Sequence, residues 1–165
     1  MIIKRGFLIT LLTLGLGVST VLSQHIDWVD LELAQKHAKA ENKKVLLFME
    51  AEWCGYCKKM YREVFPKQSV QDSLHKYFYP VRIDLESKEQ VVFNGSKISQ
   101  QDLGRQFRVT GTPTLIFLES DGSVMGTQPG FIPAKIFDKL MAFVGSEEFQ
   151  DMGFKEYLAK FDIDP

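Results

Sequence analysis

Val45-Leu46-Leu47-Phe48-Met49-Glu50-Ala51-Glu52-Trp53-Cys54-Gly55-Tyr56-Cys57-Lys58 is the stretch on which the rest of the chain turns. The apolar run Val45 to Met49 suits a strand buried on both faces of a sheet. Lys58 to Phe65 reads as a helix that Pro66 stops. Cys54 and Cys57 therefore fall where a strand hands over to a helix. Helix N-termini present unpaired N–H groups and a partial positive charge. A thiolate is stabilised there, so Cys54 is expected to be ionised at low pH and reachable. Cys57, one turn in, lies close enough to close a disulfide and is shielded by the chain. The expected chemistry is attack by Cys54 on a substrate disulfide, then resolution of the mixed disulfide by Cys57.

These are the chain's two cysteines. A bridge closing so short a loop removes little unfolded-state entropy, so it is a poor staple. Zinc is a weaker reading, because it needs about four ligands and His25, His37 and His75 are widely spread. Haem attachment needs His directly after the second cysteine, where this chain has Lys58.

Upstream, Trp28, Leu31, Ala34 and Ala38 recur at helical spacing, predicting a helix over Asp30 to Glu41. Downstream, Val70 to Tyr77 reads as a second short helix and Tyr79 to Asp84 as a strand. Asn94-Gly95 between Val91-Val92-Phe93 and Lys97-Ile98 signals a tight type I′ hairpin. Ser99 with Asp102 resembles a capping box and opens a helix to Phe107. Thr114 to Leu118 is a strand, Ser120 to Ser123 a turn, and Val124 to Gln128 its antiparallel partner. Pro133 starts a helix running to Val144. Phe154, Tyr157, Leu158 and Phe161 mark a final amphipathic helix. Alternation first and a hairpin later imply an α/β fold with a mixed sheet flanked by helices.

Gly111-Thr112-Pro113-Thr114 stands at the mouth of a strand. A cis peptide between Thr112 and Pro113 is expected there, leaving the Thr112 backbone as an edge for an extended substrate peptide.

The N-terminus has the pattern of an export signal. Lys4 and Arg5 precede an apolar run from Phe7 to Val18, and Val21-Leu22-Ser23 fits a cleavage site. Residues 1–23 are expected to be a signal peptide or an uncleaved anchor. Residues 24–165 are then a single domain lying outside the cytoplasm, periplasmic or otherwise extracytoplasmic. The 165 residues are 45% hydrophobic and 25% charged, an ordinary globular composition. A net charge of −1 gives no excess that would attract nucleic acid.

Glu52 to Lys58 together with Gly111 to Thr114 resembles the thioredoxin family, over about Lys44 to Val144. Within it the chain looks most like the exported SoxW-like branch and the catalytic domain of the Dsb-type periplasmic disulfide isomerase. Both likenesses rest on Gly-Tyr between the cysteines and Thr before the proline. The first draws further on the Val92-Phe93-Asn94-Gly95 insert and on Pro129-Gly130-Phe131. The resemblance implies a thioredoxin fold with an inserted hairpin and a C-terminal helix. It implies Cys54 as nucleophile, Cys57 as resolving thiol, and Thr112-Pro113 as the loop facing them. It also implies no cofactor beyond the redox-active Cys54–Cys57 disulfide. The partners it implies are disulfide-bonded client proteins and a membrane thiol-electron donor, with the chain a monomer. The isomerase branch has a dimerisation domain ahead of its catalytic domain, and only residues 24–43 stand there here.

The family usually carries a buried Asp six residues before the first cysteine, and this chain has Phe48. Glu50 is a candidate substitute as proton acceptor, its bland alternative being a surface carboxylate at the strand end. Trp53 is either part of an apolar collar for substrate or plain packing. Tyr56 is expected to contact substrate. Phe131, Phe137, Phe143 and Phe149 read as core. Asn94-Gly95-Ser96 matches a glycosylation sequon that the turn alone explains. The expected activity is extracytoplasmic thiol–disulfide exchange, mainly reductive. Its rivals are a disulfide oxidase or isomerase, and a non-catalytic binding or chaperone module.

Overall fold

A computed structural model describes residues 25–164. The expected leader and its cleavage site lie outside the described residues. No helix among the described residues is long and apolar enough to cross a membrane.

Helix α1 (Leu31–Glu41) is capped by Asp30, whose carboxylate accepts from the N–H groups of Glu32 and Leu33. It ends at Asn42, in the left-handed conformation that asparagine tolerates. Strand β1 (Lys44–Glu50) follows, buried along its length except at Glu50. Helices α2 (Gly55–Glu63) and α3 (Gln68–Tyr77) then carry the chain to β2 (Phe78–Asp84). The hairpin β3 (Gln90–Phe93) and β4 (Ser96–Ser99) turns at Asn94 and Gly95, both at positive φ as a type I′ turn requires. Helix α4 (Gln100–Gln106) opens on Ser99, whose Oγ accepts from the Asp102 N–H at 3.1 Å. Strands β5 (Thr114–Leu118) and β6 (Val124–Pro129), helix α5 (Ala134–Gly145), a 3₁₀ turn (Glu148–Gln150) and α6 (Phe154–Ala159) complete the order.

The main sheet has the order β2-β1-β5-β6. Strand β1 pairs parallel to β2 and antiparallel to β5, which pairs antiparallel to β6. Side chains of β1 alternate between two apolar cores, as the period of a strand dictates. Leu46 and Phe48 join a cluster with α2, α3 and α5. Val45, Leu47 and Met49 join a second one with α1 and α4.

Several boundaries move: α3 starts at Gln68, two residues ahead of Val70, and α2 ends at Glu63, two short of Phe65. Helix α2 starts at Gly55, three residues ahead of Lys58, because Cys54 itself supplies the cap. Phe161 lies beyond α6, which ends at Ala159.

Candidate active site

Strand β1 ends at Glu50, and the next four residues bring the chain over to α2. Cys54 is the N-cap of that helix, with its Sγ accepting from the Cys57 N–H at 3.0 Å. The two cysteines form a disulfide. When the bond is reduced, that N–H and the helix N-terminus favour the Cys54 thiolate over the thiol.

Cys54 is less reachable than its position suggests. It is 3% exposed and Cys57 2%. The reason is packing: both cysteines belong to the apolar cluster under α2, together with Ala51 and Ile132. The rim around it stays open, with Trp53 at 68% and Tyr56 at 62% exposed. Trp53 is thus not plain packing.

The second motif reaches the same end of the sheet through register. Thr114 pairs with Met49, the residue before Glu50 at the end of β1. The Thr112–Pro113 peptide, which is cis, therefore lies toward the end of β1 that leads into the cysteines. Pro113 is buried and its carbonyl accepts from the Gly130 N–H at 2.8 Å. That bond holds the loop after β6. Its next residue, Phe131, faces Tyr56 at 6.1 Å between ring centroids, and Lys59 Nζ lies 4.4 Å from the Phe131 ring. The cis-proline loop thus shares one end of the sheet with the strand end, and the loop it ties down meets α2 through Phe131 and Tyr56.

A family profile for the thioredoxin-like domain matches residues 31–145. The chain belongs to this thioredoxin-like family.

Its relatives agree with the site. The chain is 25% identical over 114 residues to the disulfide bond reductase DsbH of Chlamydia pneumoniae, covering 67% of this chain and 68% of that one. It is 30% identical over 109 residues to the thiol:disulfide interchange protein DsbD of Actinobacillus pleuropneumoniae, covering 64% of this chain and 17% of that much longer one. Among solved structures, a thioredoxin from Thermus thermophilus superposes with a TM-score of 0.58 at 27% identity, covering 71% of this chain and 85% of that one. A thioredoxin-fold protein from Helicobacter pylori gives 0.61 at 22% identity over 72% and 78%, which speaks for the fold alone. A fold of this family with its cysteine pair at the helix N-terminus is a thiol–disulfide exchange protein, and its redox centre is the Cys54–Cys57 disulfide. Among the described residues no group of three or more His, Cys, Asp or Glu is gathered to hold a metal.

The thioredoxin-like chain departs from its family in the acid. Phe48 is fully buried and packs on Trp28, Tyr61 and Phe65 with ring centroids 5.1–5.8 Å apart. Glu50, two residues on, shares its strand face. Its side chain is 15% exposed and its Oε1 lies 3.3 Å from Arg82 Nε. Burial holds the Glu50 carboxyl above the usual carboxylate range, with Tyr61 and Arg82 opposing the shift. Glu50 is therefore not the free surface carboxylate of the bland alternative. Glu50, Cys57, Lys58, Tyr61, Arg82 and Asp84 line one open cleft of about 370 Å³.

Some residues of the site were not singled out from sequence. Tyr61 and Arg82 come from α2 and β2, and nothing in their local spacing marks them. Phe131 was read as core, and it is half-buried at the rim because Gly130 is tied to Pro113. Phe149 was also read as core and is 41% exposed, lying in the 3₁₀ turn after α5. Phe137 and Phe143 are buried as expected.

Proposed function

We infer that this chain reduces disulfide bonds of exported proteins by dithiol exchange. The observation that carries the reading is the Cys54–Cys57 disulfide at the N-terminus of α2, supported by a cis Thr112–Pro113 peptide at the same end of the sheet. In the reduced form, the Cys54 thiolate attacks a client disulfide. The client S–S bond breaks, a Cys54–client bond forms, and one client thiolate leaves. Cys57 then loses its proton and attacks Sγ of Cys54. The Cys54–Cys57 bond re-forms, the second client thiolate leaves, and two electrons have passed to the client.

Trp53, Tyr56 and the Thr112 backbone form the docking surface for client, and Glu50 accepts the Cys57 proton. The reductive direction is supported by the likeness to a disulfide bond reductase and by the Gly-Tyr pair between the cysteines. A membrane thiol-electron donor restores the dithiol. Residues 1–23 deliver the protein outside the cytoplasm, where it works as a single-domain monomer.

Insulin reduction by wild type, Cys54→Ser and Cys57→Ser tests this reading. Both variants are expected to lose turnover, and Cys57→Ser to accumulate mixed disulfides whose mass identifies the client. Equal behaviour of all three would leave a binding or chaperone module instead. The reduction potential tests direction: a value near about −270 mV supports a reductase, and one near about −120 mV would make the protein an oxidase.

A further inference from the structure

Two buried side-chain oxygens among the described residues lack a hydrogen-bond partner, Tyr61 Oη and Thr112 Oγ1. Buried hydroxyls are normally satisfied, so such atoms call for an explanation. Both stand at the site, and Tyr61 carries the argument further.

Tyr61 follows Cys57 by four residues on α2, which places the two on one helix face. Its ring is fixed in an aromatic box, with centroids of Trp28, Phe48 and Phe65 at 6.1, 5.8 and 5.2 Å. The ring cannot swing freely, so the hydroxyl is held in the cleft that Cys57 and Glu50 also line. There it lies against Glu50 and Arg82, close enough for each to shift it, although its oxygen makes no hydrogen bond of good geometry. The oxygen has almost no water-accessible surface, so what it meets in the cleft is the Glu50 carboxyl itself. Burial and the Glu50 charge drive the Tyr61 hydroxyl far above the ordinary tyrosine range, so it stays protonated and acts as a donor.

We propose that Tyr61 is the positioning residue for deprotonation of Cys57, its fixed hydroxyl holding the Glu50 carboxyl toward the Cys57 sulfur across the cleft. The inference rests on the exchange reaction described above. The proton leaves Cys57 Sγ as that sulfur attacks Sγ of Cys54, passes to the Glu50 carboxylate, and is available to the departing client thiolate. Electrons flow only between the sulfurs. Arg82 and Asp84 on β2, Tyr61 and Lys58 on α2, and Glu52 in the connecting loop are the charged and titratable groups facing the cleft. Phe48 closes the position the family gives to its acid, and the proton route moves two residues along the same strand face.

The test is single-turnover oxidation of the fully reduced protein by insulin, followed by tryptophan fluorescence across pH 6 to 10. Tyr61→Phe keeps the ring and removes the hydroxyl. At neutral pH it is expected to slow disulfide formation about fivefold to tenfold, a fraction of what general-base catalysis commonly supplies. The gap closes above the ordinary cysteine pKa of about 8.5, where Cys57 ionises unaided. Glu50→Gln should show the same pH signature, and the double variant should be no slower than Glu50→Gln alone. In a Cys57→Ser background, Tyr61→Phe should form the mixed disulfide at the parental rate. A Tyr61→Phe profile superimposed on wild type, one displaced equally at every pH, or a slowed Cys54 step would each overturn the proposal. Failure of wild type itself to reduce insulin would instead overturn the exchange reading.

Discussion

The two faces of the main sheet are equally buried and differently finished. On the face of α1 and α4, polar groups meet partners. Gln35 and Asn94 exchange two hydrogen bonds, from the Gln35 amide at 2.5 Å and from the Asn94 N–H at 3.0 Å, pinning the inserted hairpin to α1. Ser99, Asp102 and Arg105 form a closed chain at the start of α4. The apolar residues beneath, Leu31, Leu47, Ile83, Leu103 and Ile116 among them, carry no chemistry. On the face of α2, α3 and α5, the core contains the disulfide, and at its edge stand a carboxyl held above its usual range and a tyrosine hydroxyl without a well-formed hydrogen bond. One face is finished for stability. The other keeps polar groups short of well-formed hydrogen bonds. Incomplete satisfaction in an otherwise well-satisfied fold supports the site proposed on this face.

Adjacent residues of β1 give the strongest way to break this comparison. Phe48→Ala is expected to cost about 3–5 kcal/mol and Leu47→Ala about 2–5 kcal/mol in denaturant unfolding. Both are fully buried, on opposite faces. Only Phe48→Ala should also alter the pH profile of insulin reduction, because only it loosens the Tyr61 ring. An altered profile in Leu47→Ala would show that the faces are not separate.

Gln35→Ala sharpens the quiet side. It removes both bonds to Asn94, with an expected loss of about 1 kcal/mol in chemical denaturation. Insulin turnover should be unchanged. A fall in turnover would tie the hairpin to the site.

Glu50→Gln works in the opposite sense. Burial raises the Glu50 pKa above its reference of 4.5, so folding disfavours the ionised form. Wild-type stability from this group is full below the reference value and is lost as pH rises through the raised one. The variant should therefore melt about 1–3 °C higher at pH 7, with the advantage gone by about pH 4. Loss of the pair with Arg82, a half-exposed side chain, offsets this only slightly. A lower melting temperature at pH 7 would mean that the ion pair outweighs burial. Together with slower turnover, the expected gain would mark Glu50 as kept for chemistry at a cost to the fold.

Trp53→Ala should move stability least, by no more than about 0.5 kcal/mol, since the ring is exposed. Its effect should appear as a several-fold rise in KM for insulin. An unchanged KM would remove Trp53 from the docking surface.

Local pattern was enough for the elements and for the redox pair. Continuous apolarity from Val45 to Met49 announces a strand covered on both sides. The Cys54–Cys57 spacing is one helical turn, and Asn94-Gly95 marks its own hairpin. Pro113 at the mouth of β5 announced the second loop of the site. Even here pattern reached its limit at Cys54, because sequence spacing says where a sulfur stands along the chain and not how deeply its neighbours cover it.

By itself the sequence determined what depends on residues within a turn or a strand length of one another, since backbone geometry fixes their relation. It determined the α/β order, the disulfide-forming pair and the absence of an acid at position 48. Only the tertiary structure decided what surrounds Glu50, the acid proposed in its stead. Glu50, Tyr61 and Arg82 belong to β1, α2 and β2, and they meet because β2 runs parallel beside β1 while α2 lies over that face. Their shifts come from burial and mutual charge, quantities that exist only once separate segments have packed.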